Sequence, residues 1–391
     1  MFDSLLGWLL LPLGIVLGWA LSRRMPQPEG QSLSTEQLGG LLSHLAGDDP
    51  DQAIAALTQA AEIDHSTAEL HLTLGNLFRK RGEVDRAMRV HETLLTRGNL
   101  RPQLQHQVRY ELAQDYLKAG LMDRAEQMFQ ELAAQGLFVT QSLEQLVAVY
   151  EQGRDWKQAM EAARRLEAAK GESKRAVIAQ YYCELAEEAR RAKNLPEALK
   201  LAQRALDTDS SSVRASLLLG ALAETAGEFA EASRFYRRAF DQDPRFLPEM
   251  LAPLQRCVEK TGDMPGFVQF LNDVKAVSGS MLPVVAEAQL MRREGLDAMG
   301  LLSASLERQP TRAVLTEFLD VLEKRPEVVA AGLEKSAASL RQALIKFGET
   351  SARYQCGHCG FNPRQMFWQC PGCKNWGTIT PLDESVRLSG S

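Results

Sequence analysis

Four of the six cysteines in this 391-residue chain fall within eighteen residues near its carboxyl end. They form two Cys-x-x-Cys pairs, Cys356/Cys359 and Cys370/Cys373, with ten residues between them. Four thiolates delivered by two tight turns are the donor set of one tetrahedral metal ion, iron or zinc. Gly357, Gly360, Pro371 and Gly372 let each pair bend into a knuckle whose backbone N–H groups face the sulfurs. A segment of this size builds no core of its own. Metal binding, at about 10–16 kcal/mol for structural zinc sites near neutral pH, supplies the missing folding energy. Tyr354, Phe361, Phe367, Trp368 and Trp376 are expected to pack round the sulfurs and against the last helix before them. The two remaining cysteines, Cys183 and Cys257, sit in helical segments and read as buried free thiols.

Thiolates kept for metal need a reducing compartment, and the amino end indicates which one. Residues 5–21, LLGWLLLPLGIVLGWAL, carry no charge. As a helix they would extend about 26 Å, close to the hydrocarbon thickness of a bilayer. Trp8 and Trp19 fall near the two ends, Arg23 and Arg24 follow, and Asp3 precedes. The positive flank after the span places the amino terminus outside and the rest inside. A cleaved signal peptide would need a basic stretch before the apolar run and small residues after it, and this chain lacks that pattern. The expected organisation is a transmembrane anchor over 1–22, a Pro-containing tether over 23–33, a repeat array over 34–347 and a metal-binding domain over 348–391.

The array shows itself as a period of 34 to 39 residues. In its clearest unit, Val213 to Arg245, Leu219-Gly220 and Ala223 lie in a first helix and Gly227 marks a turn. Ala232, Tyr236 and Ala239 recur in a second helix, and Pro244 ends the unit. These positions resemble the tetratricopeptide repeat: small residues let two antiparallel helices approach, large ones fill the gap, and Pro stops the second helix. Leu74-Gly75, Phe78, Gly82, Ala87 and Leu94 repeat the frame, as do Leu112-Ala113, Tyr116, Gly120, Ala125 and Phe129. The frame is clear over about 68–245 and degenerate over 34–67 and 246–347. The fold class is therefore mostly α: a tetratricopeptide superhelix, or α-solenoid, with an N-terminal transmembrane helix and a small rubredoxin-like or zinc-ribbon domain at the end. Such stacks present first-helix residues to a groove that binds proteins. In this frame Glu69, Asn76, Tyr110, Gln114, Arg214 and Glu224 are the candidate partner contacts.

Little in the chain points to catalysis. The chain has no G-x-x-x-x-G-K-[ST], no H-E-x-x-H and no G-x-S-x-G, so no catalytic residue is assigned. A net charge of −5 and few basic residues near the cysteines argue against a nucleic-acid ribbon. An electron-transfer protein with a repeat-based docking arm is the alternative to a scaffold, because four thiolates also hold iron.

Taken in order, the features resemble the lipopolysaccharide assembly protein B family over essentially the whole length. The likeness rests on the anchor followed by two Arg, the long array, and a knuckle pair reading Y-x-C-x-x-C-G-F … W-x-C-P-x-C-x-x-W. Tyr354, Cys356, Cys359, Gly360, Phe361, Trp368, Cys370, Pro371, Cys373 and Trp376 carry it. Two features depart from rubredoxins: the interval between knuckles is short, and Lys374 stands where the second knuckle usually has Gly. That Lys is expected to remove a permissive backbone position and to disfavour reversible redox use. The resemblance implies a single-pass protein of the bacterial inner membrane, with a periplasmic amino terminus and cytoplasmic domains. It implies an adaptor that acts with a membrane AAA protease to control the lipid A pathway deacetylase, and that couples lipopolysaccharide synthesis to export proteins. It leaves a homo-oligomeric state open.

Overall fold

Ala and Gly recur in this chain where two helices must touch, and a computed structural model shows the helical pairs that result. It describes residues 68–97 and 100–382. The expected anchor, the tether and the first degenerate repeat (34–67) lie outside the described residues. Among the described residues, no helix is long and apolar enough to cross a membrane.

Helices follow in antiparallel pairs: α1 (Ala68–Lys80) with α2 (Val84–Arg97), then α3 (Pro102–Lys118) with α4 (Met122–Ala134). Next come α5 (Val139–Gly153), α6 (Trp156–Lys170), α7 (Arg175–Arg191), α8 (Leu195–Thr208), α9 (Val213–Ala226) and α10 (Phe229–Gln242). A short 3-10 turn (Pro244–Phe246) leads to α11 (Leu247–Thr261) and α12 (Met264–Val277). The weaker repeats form α13 (Leu282–Arg293), α14 (Met299–Arg308), α15 (Arg312–Leu322), α16 (Pro326–Ala330) and α17 (Glu334–Thr350). Two strands close the described chain, β1 (Tyr354–Cys356) and β2 (Ile379–Pro381). Packing divides the chain between Val149 and Tyr150 into two compact units.

The repeat positions work as their residue types require. In the second unit, Ala198, Ala202 and Ala205 of α8 are fully buried against Ala179, Cys183 and Ala186 of α7. Small side chains on both sides let the helix axes come close. Asn194 and Ser212 accept the backbone N–H three residues on, starting α8 and α9. Gly227, at φ 82°, ends α9 in the left-handed conformation that glycine adopts without strain. Asp243 caps the 3-10 turn opened by Pro244. The free thiols of Cys183 and Cys257 are buried among apolar side chains, and desolvation pushes Cys183 up to about 12 and Cys257 up to about 11.

One close approach recurs with different chemistry in the two units. A Cβ on Gly220 would lie 2.7 Å from the Tyr236 ring, sixteen residues later. In the first unit a Cβ on Gly75 would lie 2.3 Å from His91, again sixteen residues later. His91 is wholly buried and its Nδ1 lies 2.5 Å from Asp115, which also receives Arg79 at 2.8 Å. An aromatic ring lies on glycine in both repeats, but the first adds a buried polar network that must stay satisfied.

Gly220→Ala tests the helix approach. The Tyr236 ring must shift, so the expected loss is about 1–3 kcal/mol, read from the denaturant midpoint by circular dichroism.

Candidate metal centre

The terminal segment is built on very little regular structure. β1 and β2 pair antiparallel, with Tyr354 opposite Pro381, Gln355 opposite Thr380 and Cys356 opposite Ile379. Two turns then repeat the same bonds fourteen residues apart. In the first, the Cys356 N–H donates to the Phe361 carbonyl at 2.8 Å and the Gly360 N–H to the Cys356 carbonyl at 2.9 Å. In the second, the Cys370 N–H donates to Asn375 at 2.9 Å and the Lys374 N–H to Cys370 at 2.8 Å.

These turns bring the four cysteines together. Cys356 and Cys373 sulfurs lie 3.8 Å apart, Cys359 and Cys370 sulfurs 3.6 Å apart, and all four fall within 4.8 Å of one another. A tetrahedron with metal–sulfur bonds of about 2.3 Å has edges of about 3.8 Å. Disulfides would need sulfurs about 2.05 Å apart. The donor set therefore fits one tetrahedral ion of the zinc or iron type. Cys356 and Cys370 are buried, Cys373 is half-buried and Cys359 is exposed. The Thr378 hydroxyl, 3.3 Å from its sulfur, and the backbone N–H groups of Cys359 and His358 draw Cys356 down to about 6. At Cys359 the Phe361 N–H acts downward, but desolvation and the crowding of Cys370, Cys356 and Cys373 push it up to about 11. Sulfurs this close resist carrying several negative charges at once, so a cation is the natural counterpart of the cluster.

Lys374 stands at the backbone position that the sequence singles out. Its φ is 61°, the left-handed conformation that Gly360 holds at 75° in the first knuckle. The second knuckle keeps its shape, and the Lys side chain pays for it in backbone strain of about 1–2 kcal/mol.

Within the second unit, the ribbon is docked on the repeat helices. Trp376 donates its indole N–H to Glu151 at 2.7 Å, and Gln369 donates to the other oxygen of the same carboxylate at 3.0 Å. Tyr181 also donates to Glu151, at 2.5 Å. The Trp376 ring meets Trp156 and Tyr181 edge to face, with centroids 6.0 and 5.8 Å apart. Trp368 stacks on Phe246 at 5.6 Å, with the rings 7° from parallel, and the Arg214 guanidinium lies over it at 5.6 Å. At the far side the Tyr354 hydroxyl donates to Glu249 at 2.6 Å. Burial, and then the bond to Glu249, pushes Tyr354 up to about 12, so it remains a donor. Glu151, Tyr181, Arg214 and Glu249 lie on α5, α7, α9 and α11, the first helices of successive pairs.

This placement corrects the expected packing against the last helix. Tyr354, Trp368 and Trp376 face first helices far upstream, and Phe361 is 39% exposed. Among the candidate partner contacts, Arg214 is only 6% exposed and is held by Gln180 and Glu184 beneath Trp368. Glu224 binds Arg256 and accepts the Tyr236 hydroxyl. In the first unit, Tyr110 stacks on Phe138 at 5.0 Å and Gln114 donates to its hydroxyl. Asn76 accepts from Arg79, and Glu69 is exposed in the first turn of α1. Glu151, Trp156, Tyr181, Phe246 and Glu249 were not singled out by sequence. Their local signal is that of ordinary helix residues, and their partners lie 105 to 225 positions away for the two carboxylates.

Residues 354–381 match the family described as "Rubredoxin metal binding domain", and residues 70–104 and 189–273 match tetratricopeptide repeat families. The chain is 32% identical over 381 residues to "Lipopolysaccharide assembly protein B" of Escherichia coli (strain K12), covering 96% of this chain and 97% of that one. It is 29% identical over 391 residues to the protein of the same name from Haemophilus influenzae, again covering 96% and 97%.

Two measurements check the centre. Elemental analysis of the full chain should find one zinc or iron per chain, and none in Cys370→Ser. Lys374→Gly removes about 1–2 kcal/mol of strain, so it should slow metal loss to a chelator several-fold.

Near-complete coverage at this identity, with the metal domain at its end, places the chain in the lipopolysaccharide assembly protein B family.

Proposed function

We propose that this chain is a non-enzymatic scaffold in lipopolysaccharide assembly, anchored in the bacterial inner membrane with its repeats on the cytoplasmic side. The observation that carries this reading is the likeness, over nearly the whole length, to proteins named for lipopolysaccharide assembly. Supporting it are successive helical pairs of a protein-binding repeat fold and a metal centre whose four sulfurs close a turn structure. The anchor reading rests on residues 5–21 and the Arg pair after them.

In its finer form, the scaffold presents the lipid A pathway deacetylase to a membrane AAA protease and ties synthesis to export. Holding both proteins near one membrane raises their effective concentration with no chemistry of its own. Glu69, Asn76, Tyr110 and Gln114 are the proposed client contacts in the first unit. Arg214 and Glu224 already engage Trp368 and Arg256.

Cells carrying Cys356→Ser with Cys359→Ser test the regulatory role of the metal end. The deacetylase should accumulate and lipopolysaccharide rise, and unchanged levels of both would sink the reading. Deleting residues 1–21 should weaken the same control by removing local concentration at the membrane.

A further inference from the structure

The ribbon has almost no interior. Its buried cluster consists of Tyr354, Cys356, Cys370 and Ile379, so two of its four buried side chains are metal ligands. Its strands have three residues each. Without a cation, little holds the two knuckles closed. The docking groups come from three separate stretches, Tyr354, Trp368–Gln369 and Trp376, and only closed knuckles present them together.

What they cover is equally specific. Glu151, Arg214 and Glu249 are charged groups on the first helices of a repeat array. That face is the one such arrays use to bind polypeptides. Here it is filled in cis: Glu151 accepts from an indole and a carboxamide of the ribbon, Glu249 accepts from a phenol, and Trp368 stacks on Phe246 and lies against the Arg214 guanidinium. These are the bonds that a bound polypeptide with aromatic N–H and O–H donors would make. The ribbon occupies the position of such a ligand.

We propose that the ribbon is a metal-locked cover over the first-helix face of the second unit. With metal bound, the knuckles close and the aromatic anchors occupy that face. With metal lost, the knuckles open, the anchors disperse, and Glu151, Arg214, Phe246 and Glu249 become accessible to another polypeptide. Docking and metal binding are then thermodynamically linked, so each strengthens the other by the same factor. The cover deepens the protein-binding reading and rests on this face being a binding surface. Its tests involve no client, so their result is separate from that of the cellular experiment.

The full chain in detergent serves for both tests. Glu151→Ala with Glu249→Ala leaves every metal ligand in place but removes both carboxylate acceptors. Competition against a chromogenic chelator should show metal affinity lowered by at least about tenfold. Glu151→Gln, which keeps an acceptor oxygen, should retain most of it. Affinity equal to that of the unaltered chain in the double variant overturns the proposal. In the unaltered chain, chelation should speed amide hydrogen exchange in 354–381 and in α7, α9 and α11, while α1 to α4 exchange as before. Cys370→Ser should reproduce that pattern without chelator. If the first helices keep their protection after metal removal, the ribbon is no metal-dependent cover and the proposal fails.

Discussion

Four sulfur atoms gathered within 4.8 Å of one another, two pairs of them at the edge length of a metal–thiolate tetrahedron, are the constraint on which the end of this protein depends. Around them stand two three-residue strands and two turns, too little apolar surface to offset the entropy of ordering the segment. The turns repeat the same two backbone bonds, so both knuckles aim their sulfurs alike. Even Lys374 follows, taking a left-handed backbone that its side chain disfavours. The same left-handed turn, free of strain at Gly360 and strained at Lys374, indicates that the knuckle geometry outweighs local backbone preference at Lys374.

The second unit completes what the ribbon lacks. Carboxylates project from its first helices, and they meet aromatic rings that carry donors at their tips. Hydrogen bonds to charged groups contribute about 1.5–3 kcal/mol each, and aromatic contacts of this geometry about 0.5–1.5 kcal/mol beyond the area they bury. Glu151 concentrates three such donors on one side chain. Arg214 could not be buried alone, because an unpaired guanidinium would carry a heavy desolvation cost. Glu184 and Gln180 satisfy it from the neighbouring repeat, and its guanidinium carbon lies over the Trp368 ring. A small module with almost no core is thereby held by a few polar and aromatic anchors.

The repeats themselves show how a loose pattern tolerates particular chemistry. Gly220 beneath Tyr236 and Gly75 beneath His91 occupy equivalent places in two helical pairs. The tyrosine reaches Glu224 at the edge of its pair, whereas the histidine turns inward to Asp115 and Arg79. Spacing between small and large residues sets the helix approach, and the identity of the large residue sets what is buried there.

The sequence by itself determined the elements that follow from local rules. Small residues in phase with turn glycines and stop prolines specify helical pairs, because helix approach and termination depend on near neighbours. Two Cys-x-x-Cys pairs specify a four-sulfur site, because each knuckle is a local turn and the cation supplies the remaining information. Only the tertiary structure decided where the ribbon rests. Trp376 meets Glu151 across 225 positions and Tyr354 meets Glu249 across 105, and no period or motif connects them. Arg214 illustrates the same limit: helical phase placed it on a binding face, but its actual neighbour, Trp368, comes from a different domain. Contacts between stretches this far apart in the chain depend on shape and on paired donors and acceptors, and these exist only once both surfaces are formed.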